Sequence, residues 1–354
     1  MSAFLDSRFA ALDAYTPGEQ PLDKKYIKLN TNESPYPPAP GVIEAINSDE
    51  VADLRLYSDP ATRALTAAIA EHFGVEKDMV YTGNGSDDIL NFTFMAFCGK
   101  NKGAAFPEIS YGFYEVYGEL YGIDCKKVPL KADFTIDPAD YYGLGRTIVM
   151  ANPNAPTGIA LTKEQIVGIL ENNPDDVVLI DEAYVDFGGE SCVSLVKDYK
   201  NLIVAQTFSK SRSLAGARLG FAIADAELIA DLNKIKYSTN PYCINRLTSL
   251  AGIASIRDTE YFEANCKKII ATRDYTVAEL DKRGFETLKS SANFIFTRKN
   301  GVSGTMLYEK LKEKGILVRH FKKEAIEPFL RVTIGTPEEM QAFISVIDEI
   351  LKEV

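Results

Sequence analysis

The sequence predicts an α/β protein: three α/β/α layers around a mostly parallel sheet, with a smaller α+β unit after it. From residue 103 onward, short runs that are apolar without alternation take turns with helical patterns, as strands buried on both faces between helices require. Polar residues with reactive chemistry gather directly after those runs, where an open parallel sheet binds ligands. Beyond residue 244 a long proline-free helical stretch leads into a second, separate pattern of strands and helices.

Residues 1–11 carry Asp6 and Arg8 among apolar positions and read as a short helix, without the core of a secretory leader. Pro17, Pro21 and the cluster Pro35-Tyr36-Pro37-Pro38-Ala39-Pro40 exclude regular structure, so residues 13–40 are expected to form an extended arm. Within it, Asn30-Thr31-Asn32-Glu33-Ser34 is a polar turn that either caps the arm or meets a ligand. Asp59-Pro60 reads as the cap and first residue of a helix bearing Leu65, Ala68, Ile69 and Phe73 and stopped by Gly74. A strand at 79–81 then enters Gly83-Asn84-Gly85-Ser86-Asp87-Asp88 and a buried helix. Such a turn presents free N–H groups at the positive end of a helix dipole, an anion cradle. It lacks the third glycine of a dinucleotide fingerprint, where Asp88 stands, and the Gly-Lys-Ser/Thr of a P-loop. A capped turn without a ligand is the plain alternative, and Asp87 would repel phosphate unless turned aside.

Strands are expected at 103–106, 124–128, 146–151, 177–180, 202–206 and 219–224, with helices at 111–121 and 163–170. Thr162 with Gln165 makes a capping box for the second helix. After a helical section at 244–283, the pattern gives strands at 294–297, 316–318 and 330–334 and helices at 305–313 and 337–351. The division that follows is a helix and arm at 1–40, a large unit at 41–245, and a connecting helix with a small unit at 246–354.

Composition narrows the function. With 39 basic and 50 acidic residues the net charge is -11, which argues against a nucleic-acid surface. Five scattered cysteines fit reduced thiols in the cytoplasm, and two histidines leave little for a metal centre or a histidine-based triad. No run approaches the roughly 18 apolar residues of a membrane span.

The chemistry centres on residues 207–220, where Lys210 stands between Ser209 and Ser211 and Arg218 follows. Lysine forms imines with aldehydes, and an arginine nearby suits an anion; an ordinary basic loop is the alternative. Other strand ends add Asn152-Pro153-Asn154-Ala155-Pro156-Thr157-Gly158 and Asp181-Glu182-Ala183-Tyr184. A buried aspartate at the end of an apolar strand is costly unless it meets a cation. Pyridoxal 5'-phosphate uses the whole set: a lysine for its aldehyde, an acid for its pyridine nitrogen and a phosphate site.

In this order, with Ala215-Gly216-Ala217-Arg218-Leu219-Gly220, these motifs resemble the fold-type I pyridoxal-phosphate aminotransferases, and within them the histidinol-phosphate aminotransferase branch. The likeness runs from Asn30-Thr31-Asn32-Glu33-Ser34-Pro35 to Leu330-Arg331-Val332-Thr333. It implies that Lys210 forms the Schiff base, Asp181 pairs with the pyridine nitrogen, and Asn154 and Tyr184 bond the ring oxygen. Ser86, Asp87, Thr207, Ser209 and Arg218 would hold the phosphate, and Tyr111 would stack on the ring. Tyr57 would reach the phosphate of a neighbouring subunit, making the enzyme a homodimer. Arg331 would bind the substrate's acidic group, helped by Tyr15 and Arg319. The plain alternatives are a core tyrosine for Tyr111, an exposed one for Tyr57 and a solvated charge for Arg319. Ala155 and Asp88 depart from the residues most relatives carry, without removing a group assigned to the cofactor.

The expected activity is ping-pong amino transfer between an amino donor and a 2-oxo acid, histidinol phosphate and 2-oxoglutarate being the favoured pair. Aromatic amino acids as donors, phosphothreonine decarboxylation on the same fold, and a binding protein without turnover are the competing readings.

Overall fold

The computed structural model describes residues 12, 15–46, 48–99 and 102–353, so the helix expected at 1–11 lies outside the described residues. The first half of the chain runs β1 (Ile27–Leu29), α1 (Pro40–Ala45), α2 (Ser48–Ala52), α3 (Arg63–Phe73), β2 (Val80–Gly83), α4 (Gly85–Phe97), β3 (Ala104–Pro107), α5 (Phe113–Tyr121) and β4 (Cys125–Val128). It continues through β5 (Thr147–Ala151), α6 (Lys163–Glu171), β6 (Val178–Asp181), β7 (Leu202–Thr207), β8 (Gly220–Ala224), α7 (Ala226–Thr239), α8 (Arg246–Arg257) and α9 (Thr259–Asp281). The last part comprises β9 (Phe285–Thr287), β10 (Phe294–Lys299), α10 (Gly304–Glu313), β11 (Ile316–His320), β12 (Leu330–Thr333) and α11 (Pro337–Lys352).

Seven strands form one sheet in the order β2-β8-β7-β6-β5-β3-β4. Its pairs are parallel except where β8 meets β2 and β7. Successive residues of these strands are buried on opposite faces, as the period-two pleat dictates. On one face Ile148, Val178, Ile180, Val204 and Ile223 pack with Leu65 of α3, Ile166 of α6 and Ala251 of α8. On the other, Val149, Leu179, Ile203 and Ala222 pack with Leu90 of α4, Tyr114 of α5 and Leu232 of α7. Two cores on two faces are the three layers that the uniformly apolar strands predict.

The second sheet has the order β1-β11-β12-β10-β9. Ile295, Val318, Leu330 and Val332 face a core closed by α9, α10 and α11. The alternate positions, Phe294, Phe296, Arg319 and Arg331, point away from that core by the same pleat.

Three expectations change in detail. The arm is not wholly irregular: Ile27–Leu29 pairs in parallel with β11, because the stretch between Pro21 and Pro35 keeps its N–H donors. Asp59 and Pro60 are not the cap and first residue of α3: Thr62 occupies the cap position and the helix begins at Arg63, although the Asp59 carboxylate still accepts from Arg63 N at 3.0 Å. The section at 244–283 is two helices, because the Asp258 carboxylate accepts from Tyr261 N at 3.1 Å and starts α9 afresh.

Candidate active site

Strands β5, β6 and β7 are in register, Ala151 opposite Asp181 and Asp181 opposite Ala205. The segments that leave them therefore emerge side by side at one sheet edge, joined by the start of α4 from the β2 side. Together they wall a cleft with two lobes. The first, about 360 Å³, is lined by Ser86, Asp87, Tyr111, Asp181, Tyr184, Thr207, Ser209, Lys210 and Arg218. Nine of the residues singled out in the sequence thus share one space.

At one end of this lobe β8 and α4 touch. A Cβ added to Gly220 would fall 2.5 Å from Ser86 N, so only glycine lets the strand approach the helix start this closely. Arg218 has a left-handed backbone, φ 54, and aims its guanidinium back over Gly85. Its Nη2 donates to Asp87 Oδ2 at 2.8 Å, and Tyr111 Oη donates to Asp87 Oδ1 at 3.0 Å. The Asp87 carboxylate is thereby neutralised and turned aside, while Asp88 folds back to accept from Asn84 N at 2.8 Å. Among the described residues no side chain caps α4, and its first residues share the lobe with Thr207, Ser209 and Arg218 at a corner suited to an anion.

At the other end, Asp181 is 4% exposed. Its protein partners are Tyr114 Oη at 3.0 Å and Ala183 N at 3.2 Å, neither of them a cation. Burial outweighs both hydrogen bonds and pushes the carboxyl up to about 6. Lys210 reaches the lobe from the turn after β7, its Nζ donating to Thr31 O at 3.3 Å and lying 5.8 Å from the Tyr184 ring centre.

The second lobe, about 370 Å³, shares Thr31, Tyr111, Ala155, Tyr184 and Lys210 with the first and adds Tyr15, Arg319, Phe321, Lys323 and Arg331. Arg319 and Arg331 are directly paired residues of β11 and β12. Arg331 is half-buried, the desolvation of its guanidinium works against its charge, and Arg319 beside it adds to the effect. Its Nη2 donates to Asn30 O at 3.1 Å, and its Nε has no partner among the described residues. A half-buried guanidinium with an unpaired Nε in a cleft wall suits an incoming anion. Arg319 donates to Pro17 O at 3.2 Å and Thr16 O at 3.1 Å, so it also fastens the arm.

Two expected site residues stand apart. Asn154 is buried just behind the wall that Ala155 forms, with its amide on Ser110 Oγ at 2.8 Å, Ile109 O at 3.0 Å and Thr157 Oγ1 at 3.1 Å. Tyr57 is 83% exposed, stacked on Tyr242, and lines neither lobe of its own chain. The residues that sequence reasoning left without a role are Tyr114, Gly220 and Asn32. Asn32 has a left-handed backbone and its Nδ2 donates to Tyr184 Oη at 3.0 Å, while its N and Oδ1 engage Thr333. The polar turn in the arm was the one signal for it. Among the described residues no group of His, Cys, Asp and Glu is arranged to hold a metal ion, and no helix is long and apolar enough to cross a membrane.

A lysine, a buried carboxylate with no ion pair among the described residues, and an anion corner at one end of the parallel strands agree with the family comparison. The model of the class I and II aminotransferases matches residues 24–347, and the chain belongs to that family of pyridoxal-phosphate enzymes. At finer grain, a histidinol-phosphate aminotransferase of Brachyspira hyodysenteriae is 51% identical over 353 residues, spanning 99% of this chain and 100% of the relative. One from Clostridium botulinum is 49% identical over 353 residues, spanning 100% of both. The fold is that of the histidinol-phosphate aminotransferase of Sinorhizobium meliloti, solved in complex with pyridoxal-5'-phosphate, with a TM-score of 0.89, 24% identity and coverage of 99% and 100%. The L-threonine-O-3-phosphate decarboxylase of Porphyromonas gingivalis shares it at a TM-score of 0.79, 21% identity and coverage of 92% and 99%.

Proposed function

We propose that this aminotransferase moves the amino group of histidinol phosphate onto 2-oxoglutarate, in two half-reactions that use the same cleft. The observation that carries the reading is Lys210 facing the same lobe as Asp181, a buried carboxylate whose hydrogen-bond partners among the described residues include no cation. The donor set fits pyridoxal phosphate at both ends. Asp181 matches a protonated ring nitrogen, and the corner where a Cβ on Gly220 would crowd Ser86 N matches a phosphate.

When bound, the cofactor supplies an electron sink for the substrate's α-carbon and a carrier for the amino group. Lys210 would hold it covalently and, with its amine free, would take the substrate's α-proton at Nζ and pass it on instead of giving it back to the α-carbon. Asp181 keeps the ring nitrogen protonated. The Tyr184 hydroxyl and the Asn154 amide would hold the ring oxygen, and Tyr111 would supply an aromatic face for the ring. Ser86, the N–H of Asp87, Thr207, Ser209 and Arg218 hold the phosphate, and the Asp87 carboxylate orients Arg218.

On the substrate side, Arg331 binds an acidic group with its unpaired edge, and Arg319 and Tyr15 read the phosphate of histidinol phosphate. Tyr57, exposed on this chain, reaches the phosphate of the partner's cofactor, so the working form is a homodimer. A cytoplasmic location belongs to the same proposal and is supported by the five cysteines, all of them free. Lys210→Ala is the test. Amino transfer from histidinol phosphate should fall to background while the fold persists; transfer at the wild-type rate would overturn the proposal.

A further inference from the structure

The turn that carries Lys210 is fastened at each of four successive residues, the outer two to the arm and the inner two to the segment after β6 and to α8 and α9. Lys210 itself rests on Thr31 O in the arm. Ser211 Oγ donates to Asp186 Oδ2 at 2.5 Å. Arg212 Nη1 donates to Ser255 O of α8 at 2.8 Å, and its guanidinium lies 4.1 Å from the ring centre of Phe262 in α9. Ser213, in a left-handed backbone at φ 59, donates to Ser34 Oγ at 2.9 Å. Ser211 and Arg212 are 4% and 8% exposed, so the neighbours of a residue in an open cleft are themselves buried.

We propose that Asp186 is a positioning residue for Lys210, acting through Ser211. Asp186 belongs to the single 3-10 turn Val185–Phe187, which follows Tyr184 directly. The paired register of β6 and β7 ends at Asp181 and Ala205. Beyond that point the segments bearing Tyr184 and Lys210 are tied by side chains: Gln206 Nε2 to Glu182 Oε2 at 2.8 Å, and Ser211 to Asp186. The second link is the one that reaches the residue next to Lys210.

The Asp186 carboxylate meets two groups: the Ser211 hydroxyl that donates to it, and the charge of the buried Arg212 guanidinium, which it favours. Its carboxyl is desolvated, which raises its pKa, and the groups that face it are Ser211, Arg212, Glu182 and Cys266. Arg212 acts on it through charge and not through a hydrogen bond: its donors go to Ser255 O and His72 Nε2 at 3.5 Å and its plane lies on Phe262, which leaves Ser211 as the hydrogen-bond partner of Asp186 among the described residues. Burying a carboxylate is costly unless its geometry is used. Here the acceptor fixes the backbone of Lys210 relative to Tyr184 while the lysine's own four-carbon stem stays free. A base that must move a proton between two partners needs that combination of fixed root and mobile tip.

The inference rests on the role given to Lys210 above, and the variants separate the two. In the holoenzyme, Ser211→Ala and Asp186→Ala should each lower kcat about tenfold to hundredfold, with KM for histidinol phosphate within about twofold. Without substrate, the pH midpoint of the bound cofactor's visible band should move by about one unit in both. Ser211→Thr and Asp186→Asn, which keep the donor and an acceptor, should restore most of both properties. Wild-type kcat and band in the two alanine variants, with Lys210→Ala inactive, would overturn the positioning role alone. So would Asp186→Asn failing as badly as Asp186→Ala, or thermal destabilisation with an unmoved midpoint. An active Lys210→Ala would instead remove the reading on which the inference stands.

Discussion

Replacing Asp181 with asparagine separates its cost to the fold from its use to the cofactor. Burial raises this carboxyl from 3.8 to about 6, so its ionised form is the penalised one. For a raised group the favourable contribution is complete below the unfolded value and disappears as pH climbs through the folded one. The difference corresponds to about 3 kcal/mol, fully felt above roughly pH 7. Asp181→Asn should therefore stabilise the cofactor-free protein at neutral pH by up to about 3 kcal/mol. About 1 kcal/mol of this returns if the hydrogen bond from Tyr114 is weakened. The same variant should lose most of the stabilisation that added pyridoxal phosphate gives the wild type, and most of its activity. Urea titrations at pH 5 and pH 8, with and without cofactor, measure all of this together. A variant less stable than wild type without cofactor at pH 8, or one that gains as much from cofactor as wild type, would refute the reasoning.

Gly220→Ala should weaken cofactor binding at least tenfold and cost about 1–3 kcal/mol of stability, because the new methyl would sit 2.5 Å from Ser86 N; cofactor titration and thermal melts check it. Arg331→Ala should lower kcat/KM for every acidic substrate by roughly ten- to hundredfold, the worth of about 1.5–3 kcal/mol of charged hydrogen bonding. Arg319→Ala should penalise histidinol phosphate selectively over phenylalanine, and steady-state kinetics with both substrates would expose equal losses. Mixing Tyr57→Phe chains with Lys210→Ala chains should recover activity in hybrid dimers, since one site per hybrid then has both groups; no recovery would argue that each cleft is self-contained.

Much of the fold was legible because β5, β6 and β7 are apolar on both faces and leave no competing period. The short strands were harder. Three residues, as in Phe285–Thr287 or Ile27–Leu29, hold too little pattern to stand out from a loop, and the partner of Ile27–Leu29 lies far along the chain, at Ile316–Val318. The site shows the same divide. Lys210, Asp181 and Ser86 announce themselves by standing where apolar strands end or a glycine turn begins a helix. Tyr114 and Asn32 do not, because their function is a hydrogen bond to Asp181 67 residues away and to Tyr184 152 residues away. The expected repulsion between Asp87 and a phosphate is resolved by Arg218, 131 residues further on, which no local reading of the cradle could supply.

The decisive experiment is a single-turnover reaction of the holoenzyme with histidinol phosphate in the absence of any 2-oxo acid. The visible band of the cofactor should disappear, the keto product should form in proportion to active sites, and no carbon dioxide should be released. Adding 2-oxoglutarate should then restore the band and yield glutamate. A band unchanged by histidinol phosphate but discharged by phenylalanine would move the substrate assignment to aromatic amino acids. Carbon dioxide released from phosphothreonine, with no response to histidinol phosphate, would replace amino transfer with decarboxylation.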